Sequence, residues 1–152
     1  MTGIRSILII DDDETLANGM KKLLLRQGFV VSTATNGRLG LHLLEDGSID
    51  LVITDIFMAE MEGLETIVAL KQKFPNICII AISGGSRVVG LDCLDLAKTL
   101  GADRILRKPV TLQALLETIQ QLNSIPTKLA GGSSAPTVTP ANGETNHGFG
   151  QP

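Results

Sequence analysis

The chain has 152 residues, 43% hydrophobic and 19% charged, which excludes a disordered chain and suits one domain with a sizeable core. A net charge of −3, with no Lys/Arg block, excludes nucleic acid as the expected partner, because phosphate backbones call for clustered positive charge. No stretch approaches about 18 consecutive apolar residues and no secretory signal opens the chain, so membrane insertion is not expected and a cytoplasmic protein is.

Strands announce themselves as short β-rich apolar runs, expected at 6–10, 29–33, 51–54, 77–82 and 104–107. The first and fourth are continuously apolar, as in parallel strands covered on both faces. Helical spacing appears between them. Leu16, Met20, Leu23 and Leu24 form the first stripe, stopped by Gly28. Leu39, Leu43 and Leu44 form a second, and Leu64, Ile67 and Val68 a third that ends before Pro75. Leu91, Leu94 and Ala97 form a fourth, closed by Gly101. Thr111 reads as the N-cap of a fifth, with Leu112, Leu115, Leu116 and Ile119 on one face. With four Phe and no Trp or Tyr, the core must be aliphatic. From Pro126 the composition turns to Pro, Gly, Ser, Thr and Asn, so the expected division is a domain at 1–124 and a disordered tail at 125–152. Cys78 and Cys93 have no metal-ligand spacing and read as buried reduced thiols.

Five strands alternating with five helices predict a doubly wound α/β sandwich with right-handed crossovers. Such folds bind ligands beyond the C-terminal ends of their strands. There the sequence concentrates its chemistry. The first strand runs into Asp11-Asp12-Asp13, the third into Thr54-Asp55, the fourth into Ser83-Gly84-Gly85 and the fifth into Lys108-Pro109. Gathered carboxylates repel one another unless a hard dication such as Mg²⁺ offsets the repulsion. A lysine and a hydroxyl can hold phosphate oxygens, and a carboxylate can attack phosphorus. Phosphoryl transfer is mostly positioning and charge neutralisation, so these few groups suffice.

On these residues the chain resembles the receiver domain of two-component response regulators, over about residues 4 to 123. ILIIDDDETL matches the family's first strand and acidic pair, DLVITDIFMAEMEGLE its phosphoacceptor segment, AISGG its switch hydroxyl and ILRKPV its lysine. The resemblance implies a flavodoxin-like (βα)5 fold with sheet order 2-1-3-4-5, and Asp55 as the phosphorylation site. It implies Mg²⁺ held by Asp12, Asp55 and the backbone carbonyl of Phe57, with Asp11 reaching the ion through water. Ser83 and Lys108 would hold the phosphoryl group, and Lys108–Pro109 would be a cis peptide. The implied partners are a sensor histidine kinase or histidine phosphotransfer protein and a downstream protein target. No catalysis is expected beyond the chain's own phosphorylation and dephosphorylation. A stand-alone receiver of the single-domain type is expected.

The chain departs from the family pattern at several points. Ala59 follows Met58 where Pro is usual, and Gly84 follows Ser83 where Ala is common. Ile105 occupies the switch position that carries an aromatic ring in the family, so a swinging ring cannot be the output. The stretch 84–90 looks longer than usual, and signalling is expected to run through it and the fourth helix. Phe57 and Gly85 would flank the phosphoryl group without positioning a water. Thr54 reads as structural, Asp13 and Glu14 as first-turn charges, Met58 and Met61 as loop packing, His42 as solvated, and His147, in the tail, as neither phosphodonor nor ligand. Two other functions fit parts of the pattern. A haloacid-dehalogenase-like phosphatase would use Asp11 as nucleophile within Asp11-Asp12-Asp13-Glu14-Thr15. It lacks a final acidic motif, because only Glu117 and Glu144 follow Lys108, and it leaves Asp55 without a role. A pseudo-receiver that binds partners without phosphorylation is the second.

Overall fold

The computed structural model describes residues 3–58, 63–84, 87–88 and 91–125, and for 87, 88 and 91–94 the backbone alone. Residues 126–152 of the expected tail, with His147, lie outside the described residues, as do Ala59, Met61, Gly85 and the side chain of Cys93.

The elements follow in the order β1 (Ser6–Ile10), α1 (Glu14–Arg26), β2 (Val30–Ala34), α2 (Gly37–Glu45), β3 (Leu51–Asp55), α3 (Gly63–Lys73) and β4 (Cys78–Ser83). Two short strands come next, β5 (Arg87–Val88) and β6 (Leu91–Asp92), then α4 (Cys93–Leu100), β7 (Arg104–Arg107) and α5 (Leu112–Ser124). Five parallel strands form one sheet in the order β2-β1-β3-β4-β7, which is the expected 2-1-3-4-5 arrangement. The antiparallel β5–β6 pair stands apart from it.

Side chains alternate across a strand, so each apolar strand serves both faces of the sheet. On one face Ile7, Ile9, Leu51, Ile53, Ile80 and Ile82 pack under α1 and α5, which add Ala17, Leu24, Leu115, Ile119 and Leu122. On the other, Leu8, Ile10, Val52, Ile79 and Ala81 pack under α2, α3 and α4, which add Leu44, Ile67, Leu70 and Ala97. Each buried Leu or Ile stabilises the fold by roughly 1.5–3 kcal/mol before the entropy of ordering is counted. The aliphatic core expected from composition is present.

Some expectations need correction. Strand β2 begins at Val30, one residue late, and Phe29 packs against the core from just before it. Strands β3 and β4 each run one residue further than expected, so Asp55 and Ser83 are themselves the last strand residues. Helix α1 buries Ala17 and Leu24 while Leu16 and Leu23 face solvent. Helix α2 turns Gly40 and Leu44 inward and leaves Leu39 exposed, because the helix seats on β1 through glycine. A Cβ on Gly40 would stand 2.4 Å from Ile10 Cδ1. Leu91 belongs to β6 rather than to the fourth helix, which starts at Cys93. Cys78 is half-buried rather than buried, and burial, aided by the negative charge of Asp103, pushes its thiol pKa up.

Candidate functional site

Parallel pairing fixes where the chemistry meets. Ile10 lies opposite Thr54, Asp55 opposite Ile82, and Ser83 opposite Arg107, so the strand ends β1, β3, β4 and β7 share one edge. Asp11, Asp12, Asp55, Ser83 and Lys108 therefore sit at or just beyond the C-terminal ends of adjacent strands. The Asp11 N–H donates to the Ala34 carbonyl at 3.1 Å, and the Lys108 N–H donates to the Ser83 carbonyl at 2.8 Å. These bonds hold the residues just past β1 and β7 against the neighbouring strands. The Lys108–Pro109 peptide is cis.

Asp11, Asp12 and Asp55 each place a carboxylate oxygen within 4.8 Å of the others. Asp11 and Asp55 are buried and Asp12 is exposed, so the cluster opens to solvent on the Asp12 side. Lys108 Nζ donates to Asp55 Oδ2 at 2.9 Å, and the Phe57 N–H donates to Asp55 Oδ1 at 3.1 Å. Both oxygens of Asp55 are thus oriented. The Asp13 N–H donates to Asp11 Oδ1 at 2.9 Å, while the Asp13 side chain accepts from the Leu16 N–H and caps α1.

The charges are not balanced. Burial pushes the Asp11 carboxyl above the usual carboxylate range, and Asp55 and Asp12 add to the rise against the Asp13 N–H and Lys108. Burial alone would lower the Lys108 ammonium, but its hydrogen bond and charge contact with Asp55, reinforced by Asp11 and Asp13, raise it. Lys108 therefore stays cationic. Among the described residues, one lysine faces the three carboxylates, two of them buried, and a second cation would relieve the excess. The donors are all hard oxygens, which suits a divalent ion such as Mg²⁺.

The remaining candidates are placed as follows. Ser83 is fully buried at the end of β4, next to β3. Ile105 is half-buried, opposite Ala81 in register, and packs against the core beneath α2–α4. Phe57 is 37% exposed at the rim of the site. His42 lies away from it, beside Glu45 on α2. Sequence reading passed over Gly63, and it placed Thr54 among the merely structural residues. Thr54 is fully buried, and its hydroxyl donates to the Asp55 carbonyl at 3.0 Å. Gly63 opens α3 directly against the same carbonyl. No local pattern marks either one: Gly63 meets that carbonyl only in the fold, and Thr54 bonds the carbonyl of its own neighbour through a side-chain rotation that residue type does not fix.

Known proteins match this arrangement. The response regulator receiver domain family matches residues 7–120. The transcriptional regulatory protein CpxR of Escherichia coli (strain K12) is 37% identical over 122 residues, covering 78% of this chain and 49% of that protein. The chain thus spans about half the length of that curated relative. A response regulator receiver domain protein from Clostridium thermocellum is similar in structure, with a TM-score of 0.71, 36% identity, and coverage of 78% of this chain and 93% of that one. The response regulator protein TrrA from Thermotoga maritima, solved in complex with Mg²⁺ and BeF, superposes with a TM-score of 0.68 at 29% identity, covering 78% and 99%.

Proposed function

Because the chain belongs to the response regulator receiver domain family, we propose that it accepts a phosphoryl group on Asp55 in a reaction that requires Mg²⁺. One observation carries the reading. Asp55 closes the central strand β3 with both oxygens oriented, Lys108 on one and the Phe57 amide on the other, beside Asp11 and Asp12.

Asp55 is the nucleophile. One of its oxygens forms the new P–O bond while the donor's bond to phosphorus breaks and the donor keeps that electron pair. The donor is a phosphohistidine of a sensor histidine kinase or of a histidine phosphotransfer protein. Lys108 moves from the carboxylate to the phosphoryl oxygens, and the Ser83 hydroxyl donates to another of them. Asp12, Asp55 and the Phe57 carbonyl would hold Mg²⁺, with Asp11 reaching it through water, and the ion would supply charge neutralisation for the transferring group. The phosphorylated chain then docks on a downstream protein or passes the group on. We read it as a signalling phosphoacceptor of the cytoplasm rather than an enzyme acting on other substrates. The acidic balance of the chain favours protein partners over nucleic acid.

The test is labelling with acetyl phosphate in the presence of Mg²⁺, followed by site mapping by mass spectrometry. Label is expected at Asp55, absent with EDTA and absent in Asp55→Asn. Label at Asp11 would replace this reading with the phosphatase one. No label in the parent protein would make the chain a pseudo-receiver.

A further inference from the structure

We propose that Thr54 and Gly63 are positioning residues that clamp the Asp55–Ile56 peptide and thereby set the attack geometry of the Asp55 carboxylate. The inference rests on Asp55 being the phosphoacceptor.

The Asp55 carbonyl oxygen is approached from two directions. From β3 itself, the buried Thr54 hydroxyl donates to it at 3.0 Å. From α3, Gly63 lies so close that a Cβ there would stand 2.0 Å from that oxygen and 2.4 Å from Ile56 Cα. Real Cβ contacts essentially never fall under 3.0 Å, so a methyl group would drive these atoms apart by about 1 Å. The obstacle is backbone, which cannot rotate away as the end of a side chain can. Gly63 is needed for this close approach and not for its backbone angles, since its φ lies outside the left-handed region.

The approach is also pinned. The Gly63 N–H donates to the Ile56 carbonyl at 2.7 Å, and the Ile56 N–H donates to the Ile82 carbonyl of β4 at 3.0 Å. A shift of the Asp55–Ile56 peptide therefore carries Phe57 with it. The Phe57 amide orients Asp55 Oδ1, and the Phe57 carbonyl is the proposed third ligand to Mg²⁺. Displacement at Gly63 or loosening at Thr54 thus reaches the nucleophile and the ion together. Misplacing a reacting group by about 1 Å can lower a rate by on the order of 100-fold.

Four variants test the clamp, each assayed for the rate of acetyl phosphate labelling and for the Mg²⁺ concentration that half-saturates it. Thr54→Val keeps the shape and removes the hydroxyl, and should label roughly 10-fold more slowly, with a raised Mg²⁺ requirement. Thr54→Ser keeps the hydroxyl and should remain near the parent. Gly63→Ala should lose on the order of 100-fold in rate. Gly101→Ala is the control for general destabilisation. Gly101 has φ +126° and precedes β7 at the opposite end of the sheet, so its replacement should lower the melting temperature and leave labelling of the folded protein unchanged. If Gly63→Ala does not fold, the Val–Ser comparison at Thr54 decides alone. Equal rates for Thr54→Val, Thr54→Ser and the parent, or a Gly63→Ala protein that folds and labels like Gly101→Ala, would overturn the clamp. Failure of the parent to label would instead overturn the phosphoacceptor reading.

Discussion

Single residues at this site carry opposing demands of charge and packing. Asp11 is buried beside two other carboxylates, and its pKa lies above the usual range. A group with a raised folded pKa favours folding below its unfolded pKa, and that contribution is lost as pH rises through the folded value. At neutral pH without metal, ionised Asp11 therefore works against folding. Asp11→Asn keeps the oxygen that accepts from the Asp13 N–H and removes the charge. Its melting temperature in EDTA at pH 7 should exceed that of the parent, with the difference closing as pH falls through the raised folded pKa and gone below about 4, the ordinary carboxylate value. A difference independent of pH would remove the charge argument. Phe57 poses a different question. It lies at the rim, two residues after Asp55, and hydrolysis of a phosphoaspartate needs a water in line with the breaking bond. An apolar ring excludes or misorients that water, whereas Asn can hold it. Phe57→Asn should shorten the half-life of phospho-Asp55 by about 10-fold, read as label lost in excess Mg²⁺ after donor removal. An unchanged half-life would leave Phe57 as packing alone.

At the scale of elements, small residues decide how closely helices approach the sheet. Helix α2 seats Gly40 against Ile10, and a Cβ there would meet the far end of a flexible side chain, at 2.4 Å from Cδ1. That contact can yield, unlike the backbone contact at Gly63. Gly40→Ala should destabilise by about 1–3 kcal/mol in urea unfolding. Ile10→Val alone should cost about 0.5–1.5 kcal/mol. Together they should cost less than the sum, because shortening Ile10 makes room for the new methyl. Strict additivity would show that the two sites do not share this contact. The helix starts follow simpler rules. Asp13, Asn36 and Thr111 each accept an N–H from the first turn of α1, α2 and α5. Of these, Thr111 was recognisable as a cap from its residue type and place.

Across the whole molecule, the strand ends form one site, so an ion bound there should stabilise the entire domain. Mg²⁺ should raise stability as RT ln(1 + [L]/Kd), about 2.7 kcal/mol at a hundredfold excess over Kd. A chain cut after Ile125, just past α5, should show the same gain, and equal melting temperatures with and without millimolar Mg²⁺ would remove the shared site. Local sequence alone determined the five sheet strands, since apolar runs such as Ile7–Ile10 suit a parallel sheet buried on both faces. It also placed a polar break after each run, but pairing in the sheet carried β3 on to Asp55 and β4 on to Ser83. Resemblance then supplied the sheet order and the roles. Only the tertiary structure decided which face of α1 turns inward. Leu23, Leu24 and Leu25 are consecutive leucines around one helical turn, and docking on the sheet buries Leu24 alone. The start of β2 at Val30, the β5–β6 pair and the clamp on the Asp55 carbonyl arose the same way. Each turns on a contact with the backbone, whether near or far along the chain, and residue type and spacing do not encode the distance at which such groups meet.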